Sequence, residues 1–142
     1  MAKVRAAQQL PVAVVDDDPG VRRAIQNLLS SARVSSRGFR AAESFLKASC
    51  GQRFGCLVVD IDLPGMSGLA LHEHLERSGM ILPTIVLTAH DGPIQRRSGH
   101  GPPLVAIKVL RKPFRDSEFL SAVRSALRRA RRPAAPGSRL SR

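Results

Sequence analysis

The sequence predicts an α/β fold in which a five-stranded parallel sheet is doubly wound, with helices on both faces. Short apolar runs alternate along the chain with segments of helical period, and parallel neighbours need such crossover connections. Two of the runs, Val12-Ala13-Val14-Val15 and Cys56-Leu57-Val58-Val59, are continuously apolar, as strands covered on both faces must be. Each then breaks into acids and a Pro/Gly turn: Asp16-Asp17-Asp18-Pro19-Gly20 in the first, Asp60-Ile61-Asp62-Leu63-Pro64-Gly65 in the second. Two buried strands therefore deliver carboxylates to one end of the sheet, the end at which doubly wound sheets bind ligands.

The elements follow in order. After the first strand, Val21, Ala24, Ile25, Leu28, Leu29 and Ala32 repeat at helical spacing, with Asp18 placed to cap and Pro19 in the first turn. A strand is expected over Val34 to Phe39 and a short helix over Ala42 to Ala48. The strand ending at Asp60 leads to a helix from Gly68 to Arg77, carrying Leu69, Leu71, His72 and Leu75 and ending near Gly79. Ile81 to Thr88 and Val105 to Leu110 read as strands. Phe114 to Arg132 reads as a helix with Phe119, Leu120, Val123, Ala126 and Leu127 on its apolar side.

Composition bounds the function. A chain of 142 residues, 43% apolar, is one domain with one core. No apolar stretch approaches the length of a membrane span, and Met1 to Leu10 lacks the apolar core of a secretory signal, so a cytoplasmic protein with no membrane partner is expected. Cys50 and Cys56 have no His cluster around them and read as reduced thiols. His72 and His74, two apart on a helix, point in different directions and do not form a metal pair. His90 and His100 fall in an irregular, solvated segment. Residues 1–95 carry ten Lys/Arg against nine Asp/Glu, whereas residues 96–142 carry thirteen against two. From Arg128 to Arg142 there are six arginines and no acid. The segments are thus an arm (1–10), one domain (11–130) and a basic, disordered tail (131–142) able to make weak, non-specific nucleic-acid contact.

The strand ends collect Asp16, Asp17, Asp60, Thr88 and Lys112. Crowded carboxylates repel, and a hard divalent cation such as magnesium relieves the repulsion. A carboxylate can also accept a phosphoryl group, whose spreading negative charge calls for a metal, a fixed cation and a hydroxyl donor. Lys112 and Thr88 supply the last two.

Four motifs in order, Val14-Val15-Asp16-Asp17-Asp18, Val58 to Gly68, Ile85-Val86-Leu87-Thr88-Ala89 and Lys112-Pro113-Phe114, resemble those of a response-regulator receiver domain, the phosphoacceptor module of two-component signalling. The resemblance covers Pro11 to Arg129 and implies the flavodoxin-like receiver fold. It implies a stand-alone receiver phosphorylated on Asp60 by a histidine kinase or phosphotransfer protein and acting on a downstream protein, with homodimerisation left open. It implies no enzyme beyond self-phosphorylation from small donors and autodephosphorylation. By the same resemblance Asp17 and Asp60 bind Mg2+ directly, Asp16 through water and Asp62 through its backbone carbonyl. Thr88 and Lys112 engage phosphoryl oxygens, and the Lys112-Pro113 bond is cis.

Two departures from the family stand out. Val109 occupies the position, three before the lysine, where receivers usually carry Tyr or Phe. Between Ala89 and Leu104, where the family has its fourth helix, six of the twelve residues from Gly92 to Pro103 are Gly or Pro. At interior costs of about 1 kcal/mol per Gly and about 3 per Pro, that helix is expected to be short or disrupted. A reading-frame shift and an adaptive loop both account for such a segment. Two rival functions fit less well. In haloacid-dehalogenase-type phosphohydrolases the Asp-x-Asp motif continues into a threonine where this chain has Pro64. The basic tail favours a nucleic-acid module, but there is no zinc-finger spacing, no aromatic stacking platform and no room for a helix-turn-helix after Leu127; a degenerate receiver without phosphotransfer is the alternative that the altered segment leaves.

Overall fold

The computed structural model describes residues 9–89 and 107–131. Its elements are β1 (Val12–Val15), α1 (Pro19–Ser31), β2 (Ser36–Phe39), α2 (Ala42–Ser49), β3 (Cys56–Asp60), α3 (Gly68–Arg77), β4 (Thr84–Thr88), β5 (Ile107–Arg111) and α4 (Asp116–Arg131). The five strands form one parallel sheet in the order β2-β1-β3-β4-β5. β1 and β3, the two acid-terminated strands, are direct neighbours, with Val15 opposite Val59.

Alternation along each strand divides the core in two. Val12, Val14, Val58, Ile85 and Leu110 face Ile25 and Leu29 of α1 and Phe119, Val123 and Leu127 of α4. Ala13, Val15, Leu57, Val59 and Val86 face Phe45 of α2 and Leu71 and Leu75 of α3. Two helices on each face give the doubly wound sheet that the alternation of strand and helix predicts. At the β2 edge, Phe39, Phe45 and Phe54 form a cluster with ring centroids 5.4–5.9 Å apart.

Local chemistry sets the boundaries. Asp18 caps α1, its carboxylate accepting from the amides of Gly20 and Val21, and Pro19 opens the helix. α3 starts behind Ser67, whose hydroxyl accepts from the Ala70 amide, and ends before Gly79 at φ +85°. The strand expected from Ile81 instead begins at Thr84. Pro83 has no N–H for a ladder, its carbonyl accepts from Leu57, and Ile81 is 85% exposed. The strand expected from Val34 begins at Ser36, because Val34 sits in the turn closing α1, its amide bonded to the Leu29 carbonyl. α4 begins at Asp116, two residues later than expected; the first helical bond runs from the Phe119 amide to the Arg115 carbonyl, leaving Pro113 and Phe114 in the approach. β5 runs one residue beyond Leu110, to Arg111.

The expected arm up to residue 8, His90, His100, the Gly/Pro-rich segment 92–103, the start of the last strand at Val105 and the tail from 132 lie outside the described residues. Among the described residues no helix is long and apolar enough to cross a membrane.

Candidate functional site

Pairing β1 with β3 and β3 with β4 places the ends of three strands side by side. The amide of Asp16 donates to the Phe39 carbonyl of β2, which carries the chain one residue past β1 in register with the sheet. The Asp16 side chain is buried. Its Oδ1 accepts from the amide of Asp18, while Oδ2 is buried with no hydrogen-bond partner. Burial raises the pKa of this carboxyl above the ordinary value; the Asp18 amide opposes the shift, and the nearby Asp60 carboxylate adds to it. Asp17 and Asp18 are exposed.

Asp60 ends β3 opposite Leu87 and is partly buried. Its Oδ1 accepts from the Asp62 amide at 2.9 Å, and its Oδ2 lies 3.2 Å from Nζ of Lys112. The lysine directly follows β5, the strand beyond β4 in the same sheet: its amide donates to the Thr88 carbonyl at 2.7 Å, and the Lys112-Pro113 peptide is cis. Thr88, 2% exposed, ends β4 opposite Arg111. Val109, on β5 opposite Val86, is 40% exposed, so the position that family members fill with an aromatic ring holds a small side chain partly open to solvent.

Every residue expected at the site thus lies at the carboxyl ends of β1, β3, β4 and β5, and the structure joins Asp60 directly to Lys112. Asp62 reaches Asp60 with its backbone amide, and its side chain is exposed. Two supporting residues escaped the sequence reading. Arg22, one turn into α1, donates to the Asp16 carbonyl at 2.7 Å, and only its spacing from the acids hints at this. Gly68 packs so closely behind the acceptor strand that a Cβ there would stand 2.9 Å from the Asp60 carbonyl oxygen.

A cation fits this arrangement. The unpartnered buried Oδ2 of Asp16, next to the charges of Asp60 and Asp17, is an oxygen donor in need of a positive partner. Among the described residues no three His, Cys, Asp or Glu side chains converge as a closed cage. A hard ion that keeps several of its waters and takes only one or two carboxylates suits such a site, which is the behaviour of magnesium.

The model of the response regulator receiver domain matches residues 12–124. The chain belongs to that family. Nodulation protein W of Bradyrhizobium diazoefficiens is 38% identical over 128 residues, covering 89% of this chain and 55% of that protein. The transcriptional regulatory protein FixJ of Azorhizobium caulinodans is 37% identical over 124 residues, covering 87% and 57%. This receiver chain therefore spans about half the length of the curated relatives it matches. Among solved structures, response regulator StyR superposes with a TM-score of 0.76 at 37% identity over 87% of this chain and 61% of that one. FixJ-N superposes at 0.72 with 28% identity over 90% and 98%. Receiver domains are signalling domains that interact with histidine kinases or phosphotransfer proteins and typically bind Mg2+ at the phosphorylation site.

Proposed function

We propose that this receiver, spanning 11–130, takes a phosphoryl group onto Asp60 from a histidine kinase's phosphohistidine and passes the signal to a downstream protein from the cytoplasm. The observation that carries the reading is the 3.2 Å contact between Lys112 Nζ and Asp60 Oδ2 at the carboxyl end of the sheet. A partly buried carboxylate aligned by a backbone amide on one oxygen and an ammonium on the other is a nucleophile held in a single orientation.

In the transfer an Asp60 carboxylate oxygen forms a bond to phosphorus as the phosphorus–nitrogen bond of the donor breaks. The imidazole leaves with the electron pair and takes up a proton. Charge building on the phosphoryl oxygens meets Lys112, released from the carboxylate it neutralises at rest, and the hydroxyl of Thr88. Magnesium, when bound, supplies further neutralisation of that charge, with Asp17 and Asp60 as direct ligands, the Asp62 carbonyl as a third and Asp16 acting through water. The unpartnered Asp16 oxygen supports that assignment. The same carboxylate reacts with small acyl phosphates, and water attacking phosphorus breaks the aspartyl O–P bond, releasing inorganic phosphate and restoring the free carboxylate, so turnover is limited to the domain's own phosphate.

Incubation with a small-molecule phosphodonor tests the reading. The intact mass should rise by one phosphate in the presence of Mg2+, and both metal chelation and Asp60→Asn should abolish the gain. A gain that survives Asp60→Asn would move the acceptor elsewhere.

A further inference from the structure

The end of the sheet opposite the acids has a charge pattern that phosphoryl chemistry does not use. α4 starts near the acceptor, through Lys112, and runs to the far end, where a Cβ on Gly55, just ahead of β3, would meet Leu127 at 2.7 Å. At that far end stand Arg33, Arg53, Arg77, Arg128 and Arg129, all exposed. They come from three helix-to-strand connections or helix ends and the last turns of α4. The connections 32–35, 50–55 and 78–83 contain no Asp or Glu. Nearby acids are few. Glu76 faces His72 Nε2 at 3.6 Å, and Glu118 lies in the groove of about 410 Å³ that Lys108 and Arg129 also line, about 16 Å along α4 from Arg129.

The described residues begin, ahead of β1, and end, in α4, at this pole. The acids Asp16, Asp17, Asp18, Asp60 and Asp62 sit at the opposite end, about 17 Å away along a five-residue strand. That exceeds a Debye length of about 8–10 Å at physiological salt, so the acids do not cancel the field of the pole.

We propose that this basic pole is a sequence-independent site for the phosphate backbone of a duplex nucleic acid, separate from the acceptor rim. Cations spread over several connections match a line of phosphates. An acidic protein interface would be expected to have an apolar centre, and among the described residues the one large apolar side chain exposed at this end is Ile81. If about four cations each engage a phosphate, affinity falls roughly 100-fold between about 50 and 200 mM salt.

Fluorescence anisotropy of the full chain with labelled duplexes of two unrelated sequences tests this, comparing two variants of equal net charge. Arg53→Gln/Arg77→Gln removes charge at the pole, and Arg23→Gln/Arg115→Gln removes exposed charge from the acceptor half. The proposal predicts equal affinity for both sequences and a salt slope shallower by about 2 in the pole variant only. It also predicts normal phosphate uptake by the pole variant, so a failure here is distinct from a failure of the acceptor reading. It is overturned by absence of binding at low salt, by equal loss in both variants, or by a pole variant that binds like wild type because the tail alone makes the contact. Displacement of duplex by polyglutamate at equal charge would assign the pole to an acidic protein. Tighter binding to phosphatidylserine vesicles, lost in Ile81→Ser, would assign it to a membrane surface.

Discussion

Asp16 carries the largest electrostatic cost at the site, because its carboxylate is buried with one oxygen unpartnered. A folded-state pKa above the unfolded value means that the native state holds its proton more tightly, so ionisation of Asp16 opposes folding. The penalty is absent well below pH 3.8, grows as pH rises from there, and is complete above the raised native value. Asp16→Asn should therefore raise the thermal midpoint of the metal-free protein at neutral pH, with the gain fading toward pH 3.8, and should reduce the stabilisation that Mg2+ gives wild type. A variant less stable than wild type at neutral pH without metal would contradict the argument. Cys56 offers a second test at this scale: burial pushes its thiol up to about 12, whereas Cys50 is exposed. A thiol reagent at pH 8 should modify one cysteine quickly in the native protein and the second only on unfolding. That Asp60 and Lys112 share the carboxyl end of the sheet was legible from the motifs, since strand ends and turn residues announce themselves in sequence; their direct 3.2 Å contact was not. The tight seat of Gly68 was not, because close approach of two backbones leaves no local pattern.

Elements differ in how plainly their residues declare them. β1 and β3 are covered on both faces, so their unbroken apolar runs could be read directly, and Asp18-Pro19 marked the start of α1. β2, Ser36-Arg37-Gly38-Phe39, lies at the sheet edge with one buried apolar side chain, and its partner β1 specifies it more than its own composition does. The approach to β4 misled because Ile81 and Leu82 are apolar like strand residues; Pro83, unable to donate to a ladder, was the signal that outweighed them. Gly68→Ala tests how the element behind the acceptor is held. Its new Cβ would press on the side-chain Cγ1 of Val59 at 3.1 Å and on Asp60 O at 2.9 Å and Ile61 Cα at 3.3 Å, the last two being backbone that cannot yield cheaply. The variant should lose about 1–3 kcal/mol in denaturant unfolding and phosphorylate more slowly. Unchanged stability and rate would show that α3 can shift away without disturbing Asp60.

Over the whole molecule, parallel topology sorts the charges. Every strand runs toward the acids and every described helix returns toward the arginines, which puts residues tens of positions apart on one end. Composition revealed an excess of positive charge in the final third, but Arg33, Arg53 and Arg77 join Arg128 and Arg129 only through the fold. The same sorting assembles the acceptor rim, which faces away from the basic pole and leaves phosphoryl transfer free of it. The central claim is that Asp60 alone among the rim carboxylates takes the phosphate. Borohydride reduction of the phosphorylated protein, followed by peptide mass spectrometry, reads this directly because an acyl phosphate is reduced to homoserine. The account predicts homoserine at position 60 and intact aspartates at 16, 17 and 62. Homoserine at any of those three positions, or none anywhere in folded protein supplied with Mg2+ and phosphodonor, would contradict it.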